Sequence, residues 1–333
     1  MEQPSRFLII QTAFIGDVIL ATALIEQLHA AFPTAIIDFM LRKGNESLLK
    51  DHPIVNEVLV WNKKQAKYGS LFDLLKKVRR RKYDVVINLQ RFGATGLFTA
   101  LSKAKKTAGF DKNPFSRFYT HTAEHRLETG VHEIDRNAGV IRWLTDSKSK
   151  RPKLYPAAAD YDLVRPYQKQ PYICLAPTSV WFTKQYPREK WVDLLLNLPS
   201  GYVVYLLGAP SDAAACDWII EQAGSAAEMH SLAGKLSLLA SAALMQGAVM
   251  NYVNDSAPMH LASAMNAPTT AIFCSTEPEF GFGPLAEQSH VVEIQEKLEC
   301  RPCGLHGYKK CPLGHFNCAH GIQTEQLLAV LPA

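Results

Sequence analysis

Four short stretches carry side chains whose types and spacing suit chemistry on an anionic, hydroxyl-rich substrate. In Gln11-Thr-Ala-Phe-Ile-Gly16-Asp17-Val18 an apolar run ends in a glycine and a carboxylate. Aspartate is a favoured helix cap, and a carboxylate where a strand ends can equally serve as a general base. Ala176-Pro-Thr178-Ser179-Val-Trp-Phe-Thr-Lys184 places two hydroxyls and one ammonium in a loop after a second apolar run. That set suits a phosphate, because lysine supplies a point charge without demanding bidentate geometry; a solvated loop is the plainer reading. Asn254-Asp255-Ser256-Ala257-Pro258-Met-His260 follows a third run and opens a helix. Unpaired N–H groups at a helix start, aided by the helix dipole, attract a diphosphate, although Asp255 could be only a cap and His260 only a helix residue. A fourth run ends at Gly208-Ala-Pro-Ser-Asp212, where a carboxylate can accept from ribose hydroxyls. The chain has neither GxGxxG nor GxxxxGK[ST], so a dinucleotide fingerprint and a P-loop are both unsupported.

A different chemistry is suggested near the end of the chain. Cys300-x2-Cys303-x7-Cys311-x6-Cys318, interleaved with His306, His315 and His320, has metal-ligand character and is a candidate structural zinc site. Reduced thiols or local disulfides are the alternatives. Cys174, Cys216 and Cys274 lie in or beside apolar runs and are expected in the core. Residues 63–82 hold nine basic residues and one acid, Asp73, interrupted by Leu71, Phe72, Leu74, Leu75 and Val78. This run reads either as a solvated amphipathic helix packed on a sheet or as a face for an anionic membrane surface or phosphorylated lipid acceptor. Aromatic residues are not interleaved as stacking platforms, which argues against nucleic acid.

The elements that must position these residues alternate in type. Strands are expected at Phe7–Thr12, Ala35–Leu41, Glu57–Trp61 and Asp84–Leu89, with helices from Asp17 to Phe32 and from Gly69 to Arg81. After a Pro- and charge-rich segment at 147–170, read as a linker, the pattern restarts. Strands are expected at Tyr172–Leu175, Tyr202–Leu207, Ala248–Val253 and Thr269–Phe273. Helices are expected near Glu189–Leu198 and Asp212–Ala223 and from Pro258. Strand, helix, strand at this spacing predicts parallel sheets covered on both faces. Ligands in such sheets bind beyond the carboxyl ends of the strands, where all four stretches fall.

At 333 residues the chain has the length of two domains, set at 1–165 and 166–333. With 47% hydrophobic and 20% charged residues it can bury full cores, which excludes disordered and fibrous classes. Residues 1–165 carry 27 Lys plus Arg against 17 Asp plus Glu, and residues 166–333 carry 9 against 14. The basic half implies an anionic partner. The start MEQPSRFLIIQT lacks the features of a signal peptide, and the longest charge-free run, 236–254, reads as helix then strand. Together with seven cysteines, an odd number, this predicts a cytoplasmic protein in a reducing compartment.

Taken in order, these residues resemble glycosyltransferase family 9, the ADP-heptose:lipopolysaccharide heptosyltransferases and their relatives, over nearly the whole chain. The likeness rests on Ile15-Gly16-Asp17-Val18 with LATALIEQL, on His132-Glu-Ile-Asp-Arg136, and on Pro177-Thr-Ser with Lys184-Gln-Tyr-Pro and Trp191. It continues through Leu207-Gly-Ala-Pro-Ser-Asp212, Ala233-Gly-Lys235-Leu-Ser-Leu, Asn254-Asp-Ser-Ala-Pro-Met-His260-Leu-Ala and the Cys-rich tail. It implies a GT-B fold, two Rossmann-like doubly wound domains facing across a cleft, the first for the acceptor and the second for the nucleotide-sugar. It implies that Asp17 is the base, that Gly16 and Arg91 meet the acceptor, and that Lys184, Thr178 and Ser179 contact donor phosphates. Asp212 and Lys235 join the donor site, with Asp255, Ser256, Ala257 and His260 at the diphosphate. The family usually has Asp-Thr-Gly where this chain has Asp255-Ser-Ala257. The implied activity is inverting transfer without a catalytic cofactor, of heptose from ADP-heptose to lipopolysaccharide or a lipid-linked anionic glycan. The place implied is the cytoplasm, peripheral to the inner membrane. A non-catalytic nucleotide- or glycan-binding scaffold, and a nucleotide-sugar epimerase on the same fold, are the competing readings.

Overall fold

The computed structural model describes residues 4–65, 67–127 and 129–332, with only the backbone of Lys67. The first three residues of the N-terminal reading and Ala66 of the basic run lie outside the described residues. The chain divides between Tyr155 and Pro156 into two compact units.

The first unit runs β1 (Arg6–Ile10), α1 (Ile15–Ala31), β2 (Ile36–Arg42), β3 (Val55–Trp61), α2 (Lys67–Arg81), β4 (Val85–Asn88), α3 (Gly93–Ala100), β5 (Lys106–Phe110), β6 (His121–Ala123) and α4 (Glu133–Gly139). Its six strands form one parallel sheet in the order β3-β2-β1-β4-β5-β6. The second unit begins with α5 (Ala158–Val164). It continues through β7 (Tyr172–Ala176), α6 (Arg188–Leu196), β8 (Val203–Leu206), α7 (Ala213–Ala223), β9 (Glu228–Ser231), α8 (Leu238–Gln246), β10 (Met250–Asn254), α9 (Ala257–Met265), β11 (Thr269–Phe273) and β12 (Ser289–Glu293). Its sheet is also parallel, in the order β12-β11-β10-β7-β8-β9. The expected doubly wound α/β class is therefore observed in both units.

Central strands such as β4 (VVIN) and β7 (YICLA) are buried at every position, as strands covered on both faces must be. In each sheet the strand order reverses once, between β1 and β4 and between β7 and β10. The connections leave such a point in opposite directions, opening a crevice beyond the strand ends. Asp17, in the first turn of α1, and the loop carrying Arg91 follow β1 and β4; the loops carrying Lys184 and Asp255 follow β7 and β10. The segment 147–170 is not all linker. Its later part folds as α5 and a short 3-10 turn at Arg165–Tyr167, and Ser237 Oγ bonds Asp160 of α5 at 3.2 Å. No helix among the described residues is long and apolar enough to cross a membrane.

One buried base gives the fold a pH dependence. His52 is almost fully buried, stacks edge-on against Tyr155 with centroids 4.7 Å apart, and accepts from the Ile54 N–H at 3.2 Å. Burial, with Lys153 nearby, lowers its pKa to about 4. The unfolded chain takes up this proton near the ordinary 6.5 while the folded chain refuses it, so stability falls as pH drops from 6.5 towards 4. Denaturant titrations should show His52 contributing a loss of about 3 kcal/mol over that window, and a His52→Phe variant should be flatter by that amount.

Candidate functional site

In the second unit the strand ends converge on one carboxylate oxygen. Asp255 Oδ2 accepts from Lys184 Nζ at 2.6 Å and from Thr276 Oγ1 at 2.6 Å, and both charged side chains are mostly buried. Asp255 thus does not cap α9; the cap position belongs to Ser256, one residue later, and Pro258 sits in the first turn. The ammonium is brought to the loop that opens α9, where the N–H groups of the first turn lack intrahelical partners. The Lys184 loop is itself pinned to β10. The Tyr186 N–H bonds Asn254 Oδ1 at 2.9 Å, and Asn254 Nδ2 bonds the Ala176 carbonyl at 3.3 Å. Thr178 and Ser179 are half-buried in the same loop, with Gln185 Nε2 on the Ser179 carbonyl at 2.8 Å. His260 is buried one turn into α9. The arrangement provides a cation, two hydroxyls and a helix start together, which suits an anion with several oxygens.

Next along the sheet, Asp212 Oδ2 accepts from the Ala209 N–H at 2.7 Å, which fixes the carboxylate at the end of β8. The following turn meets it through the Gly234 N–H on the Gly208 carbonyl at 2.9 Å. Lys235 is exposed there and lines a separate cavity of about 610 Å³ with Tyr205, Glu228 and His230, beside the edge strand β9.

In the first unit the strand-end loops are stitched to one another. Lys63 Nζ donates to the Thr12 carbonyl at 2.7 Å, Asn45 Nδ2 to the Ala13 carbonyl at 3.1 Å, and Gln90 Nε2 to Gln11 Oε1. Helix α1 starts two residues before the sequence predicted, so Asp17 occupies its third position and its carboxylate accepts from the Phe14 N–H at 3.2 Å. Gly16 is half-buried beside it and Arg91 is exposed. Around Asp17 lies a group that the sequence showed only as a motif. Glu133 and Arg136 of α4 pair at 2.8 Å, nearly buried. The Glu133 carboxyl is pushed up by burial, against the pull of Arg136 and Arg91 and with the help of Asp17. His125, lowered by burial, feels Arg91 and Arg136 as well. A cavity of about 550 Å³ opens over Ile15 and Asn45 and is lined by Arg42, Lys43, Lys63 and Lys64. Arg42 ends β2 with Lys43 next to it, and Lys63 and Lys64 follow β3, so the signal is present in the sequence as an Arg-Lys and a Lys-Lys pair.

The zinc expectation is not supported. Among the described residues no group of three or more His, Cys, Asp or Glu side chains is placed to hold a metal ion. Cys300, Cys303, Cys311 and Cys318 are all free thiols. Cys318 packs in the core, and burial pushes its thiol up to about 12; Cys303 is raised by burial and then by Cys300 and Cys311. Cys174, Cys216 and Cys274 are buried, as expected.

What the tail does instead is brace the lysine. The Tyr308 N–H bonds Thr183 Oγ1 at 2.7 Å, Ser275 Oγ bonds the same hydroxyl at 2.9 Å, and the Cys303 N–H bonds the Ser275 carbonyl at 2.7 Å. Gly307 lies at φ +71°, and a Cβ there would stand 2.8 Å from Thr183 Oγ1 and 3.2 Å from Lys184 Cγ. A Gly307→Ala variant adds left-handed strain of about 1–2 kcal/mol and pushes on the residue before the lysine. Calorimetry should show its affinity for a nucleoside diphosphate reduced about tenfold, the equivalent of 1.4 kcal/mol. Unchanged affinity would detach the tail from the site.

Comparison with known proteins identifies the family and the fold. The sequence profile of glycosyltransferase family 9 (heptosyltransferase) matches residues 71–309. Lipopolysaccharide heptosyltransferase 3 of Escherichia coli is 28% identical over 281 residues, covering 80% of this chain and 83% of its own length. Among solved structures, a family 9 glycosyl transferase from Veillonella parvula superposes with a TM-score of 0.85 at 24% identity, covering 99% of this chain and 97% of that one. The ADP-heptose lipopolysaccharide heptosyltransferase II of E. coli superposes with a TM-score of 0.79 at 21% identity, covering 98% and 97%. The pair of Rossmann-like units is thus that of a GT-B chain, and glycosyl transfer displaces the scaffold and epimerase readings. With loops that gather a lysine, hydroxyls and a helix start at one strand reversal and an aspartate at the other, the chain belongs to glycosyltransferase family 9, the heptosyltransferases.

Proposed function

We propose that this enzyme is an inverting, metal-independent transferase that moves heptose from ADP-heptose onto a lipopolysaccharide core or a related lipid-linked anionic glycan. It would work in the cytoplasm, beside the inner membrane that holds such an acceptor. The observation that carries the donor half is the placement of Lys184 by Asp255 at the loop opening α9. A departing nucleoside diphosphate needs positive charge where its negative charge grows, and an ammonium with oriented N–H groups supplies it without reorganisation. Sugar and acceptor follow the names carried by the relatives, and the basic cavity of the first unit supports an anionic acceptor.

The reaction is one in-line displacement. Asp17 takes the proton of the acceptor hydroxyl while that oxygen attacks the anomeric carbon. The bond from that carbon to the diphosphate oxygen breaks on the opposite face, and the configuration inverts. Lys184, Thr178, Ser179 and the N–H groups of Ser256 and Ala257 receive the diphosphate, with His260 behind them. Asp212 takes the ribose hydroxyls, and Lys235 approaches from the adjoining turn. Gly16 lets the acceptor close on Asp17, and Arg91 draws its anionic groups. Glu133 and Arg136 hold the charge around Asp17 in place.

Two variants separate these roles. Asp17→Asn should lower kcat by about 10²–10⁴-fold, the worth of a positioned base, with donor affinity nearly unchanged. Lys184→Ala should weaken donor binding by about 10–100-fold, the worth of a charge-assisted hydrogen bond. Full turnover by Asp17→Asn would remove it as the base.

A further inference from the structure

The basic run is not neutralised evenly, and the part left outward is amphipathic. Lys77 and Arg81 turn inward from α2 to Glu57, and Arg81 also bonds the fully buried Asp38 at 2.8 Å. Leu75 and Val78 of α2 and Phe98 of α3 pack into one core over β1, β2 and β4. The two helices therefore lie on the same face of the sheet, and Arg79 Nε joins them through the Leu101 carbonyl at 2.7 Å. Exposed on α2 are Gly69 and Asp73 together with Tyr68, Phe72, Lys76 and Arg80, the last four spaced four apart and so in one stripe. Phe72 is 56% exposed, with Lys76 Nζ 4.4 Å from its ring centroid. Beside it α3 exposes Leu97 at 43% and the following Leu101 at 42%. Lys82 and Lys103 are exposed where the two helices end, whereas Lys105 beside them is paired to Asp84 at 2.7 Å. On α2 the stripe meets one acid, Asp73, which lies 3.8 Å from Lys76; α3 has no acid.

We propose that this two-helix face docks the enzyme on an anionic phospholipid bilayer. Exposed large apolar side chains set among lysines and arginines are what an interfacial surface requires, since the rings and leucines enter the acyl boundary while the cations stay among the headgroups. The position in the fold fits this partner. Helix α2 begins a few residues after β3 ends, so Tyr68 and Phe72 lie at the same edge of the sheet as the cavity of Arg42, Lys43, Lys63 and Lys64. A membrane-borne acceptor would then meet the basic cavity next to the surface that holds the enzyme down. The inference extends the reading of a lipid-linked acceptor, and it is tested without donor or acceptor, so either can fail alone.

The test is sedimentation of the full chain at low salt with phosphatidylcholine vesicles, with and without phosphatidylglycerol. The protein should bind only the anionic vesicles and be released by salt. Lys76→Glu with Arg80→Glu, and separately Phe72→Ser with Leu97→Ser, should each weaken binding about tenfold or more. Lys309→Glu with Lys310→Glu, the same charge change on exposed tail residues, should leave it intact. All three should keep the thermal unfolding midpoint and the far-ultraviolet circular dichroism of the unaltered chain. Equal binding to neutral vesicles, no binding to either, or equal loss in the tail variant would overturn the proposal.

Discussion

The second unit depends on one oxygen atom. Asp255 Oδ2 holds Lys184 and Thr276 together and so ties the loops after β7, β10 and β11 to a single point. A mostly buried ion pair of this kind is weak support for stability, because desolvating two charges offsets most of their attraction. Its value is positional: Asp255 holds the ammonium, and the Tyr308 N–H holds Thr183, the residue before the lysine. The chain from Cys300 to Tyr308, more than a hundred residues downstream, is thereby recruited to brace it. That gives the tail a physical role that needs no metal.

The first unit meets a different constraint. On the proposed function, it must present a carboxylate to a neutral hydroxyl while gathering cations for an anionic acceptor. Glu133, buried and paired to Arg136, places a second acid near Asp17 and offsets the guanidinium. Arg42 and the three lysines of the basic cavity sit at or just after the ends of β2 and β3, whereas α4 carries the Glu133–Arg136 pair. The two electrostatic tasks are thus assigned to different elements.

Much of this was legible from residue order. Apolar runs such as FLII, VVIN and TTAIF are strands because a strand buried on both faces has no polar side to show. The residue types at their ends suggested the chemistry that is proposed for them. Edge strand β9, EMHS, gives no such run, since only alternate residues are partly covered. Helix α5 is hidden by the prolines and charges around it. The partners were the least visible. Asp255 reads as a cap because Asp before a helix usually caps, and only the fold brings Lys184, some seventy residues earlier, to it. The Cys spacing pointed to zinc because short thiol spacings suit a tetrahedral ion. The fold instead buries Cys318 in the core and uses the intervening backbone to hold Thr183.

Sugar transfer itself is tested most directly by nucleoside diphosphate release from ADP-heptose, with and without a truncated lipopolysaccharide acceptor, beside a panel of UDP- and GDP-sugars. The account predicts ADP release that requires both ADP-heptose and acceptor, with a product of inverted anomeric configuration. Release that ignores the acceptor, a product of retained configuration, or turnover of another nucleotide-sugar in place of ADP-heptose would contradict it.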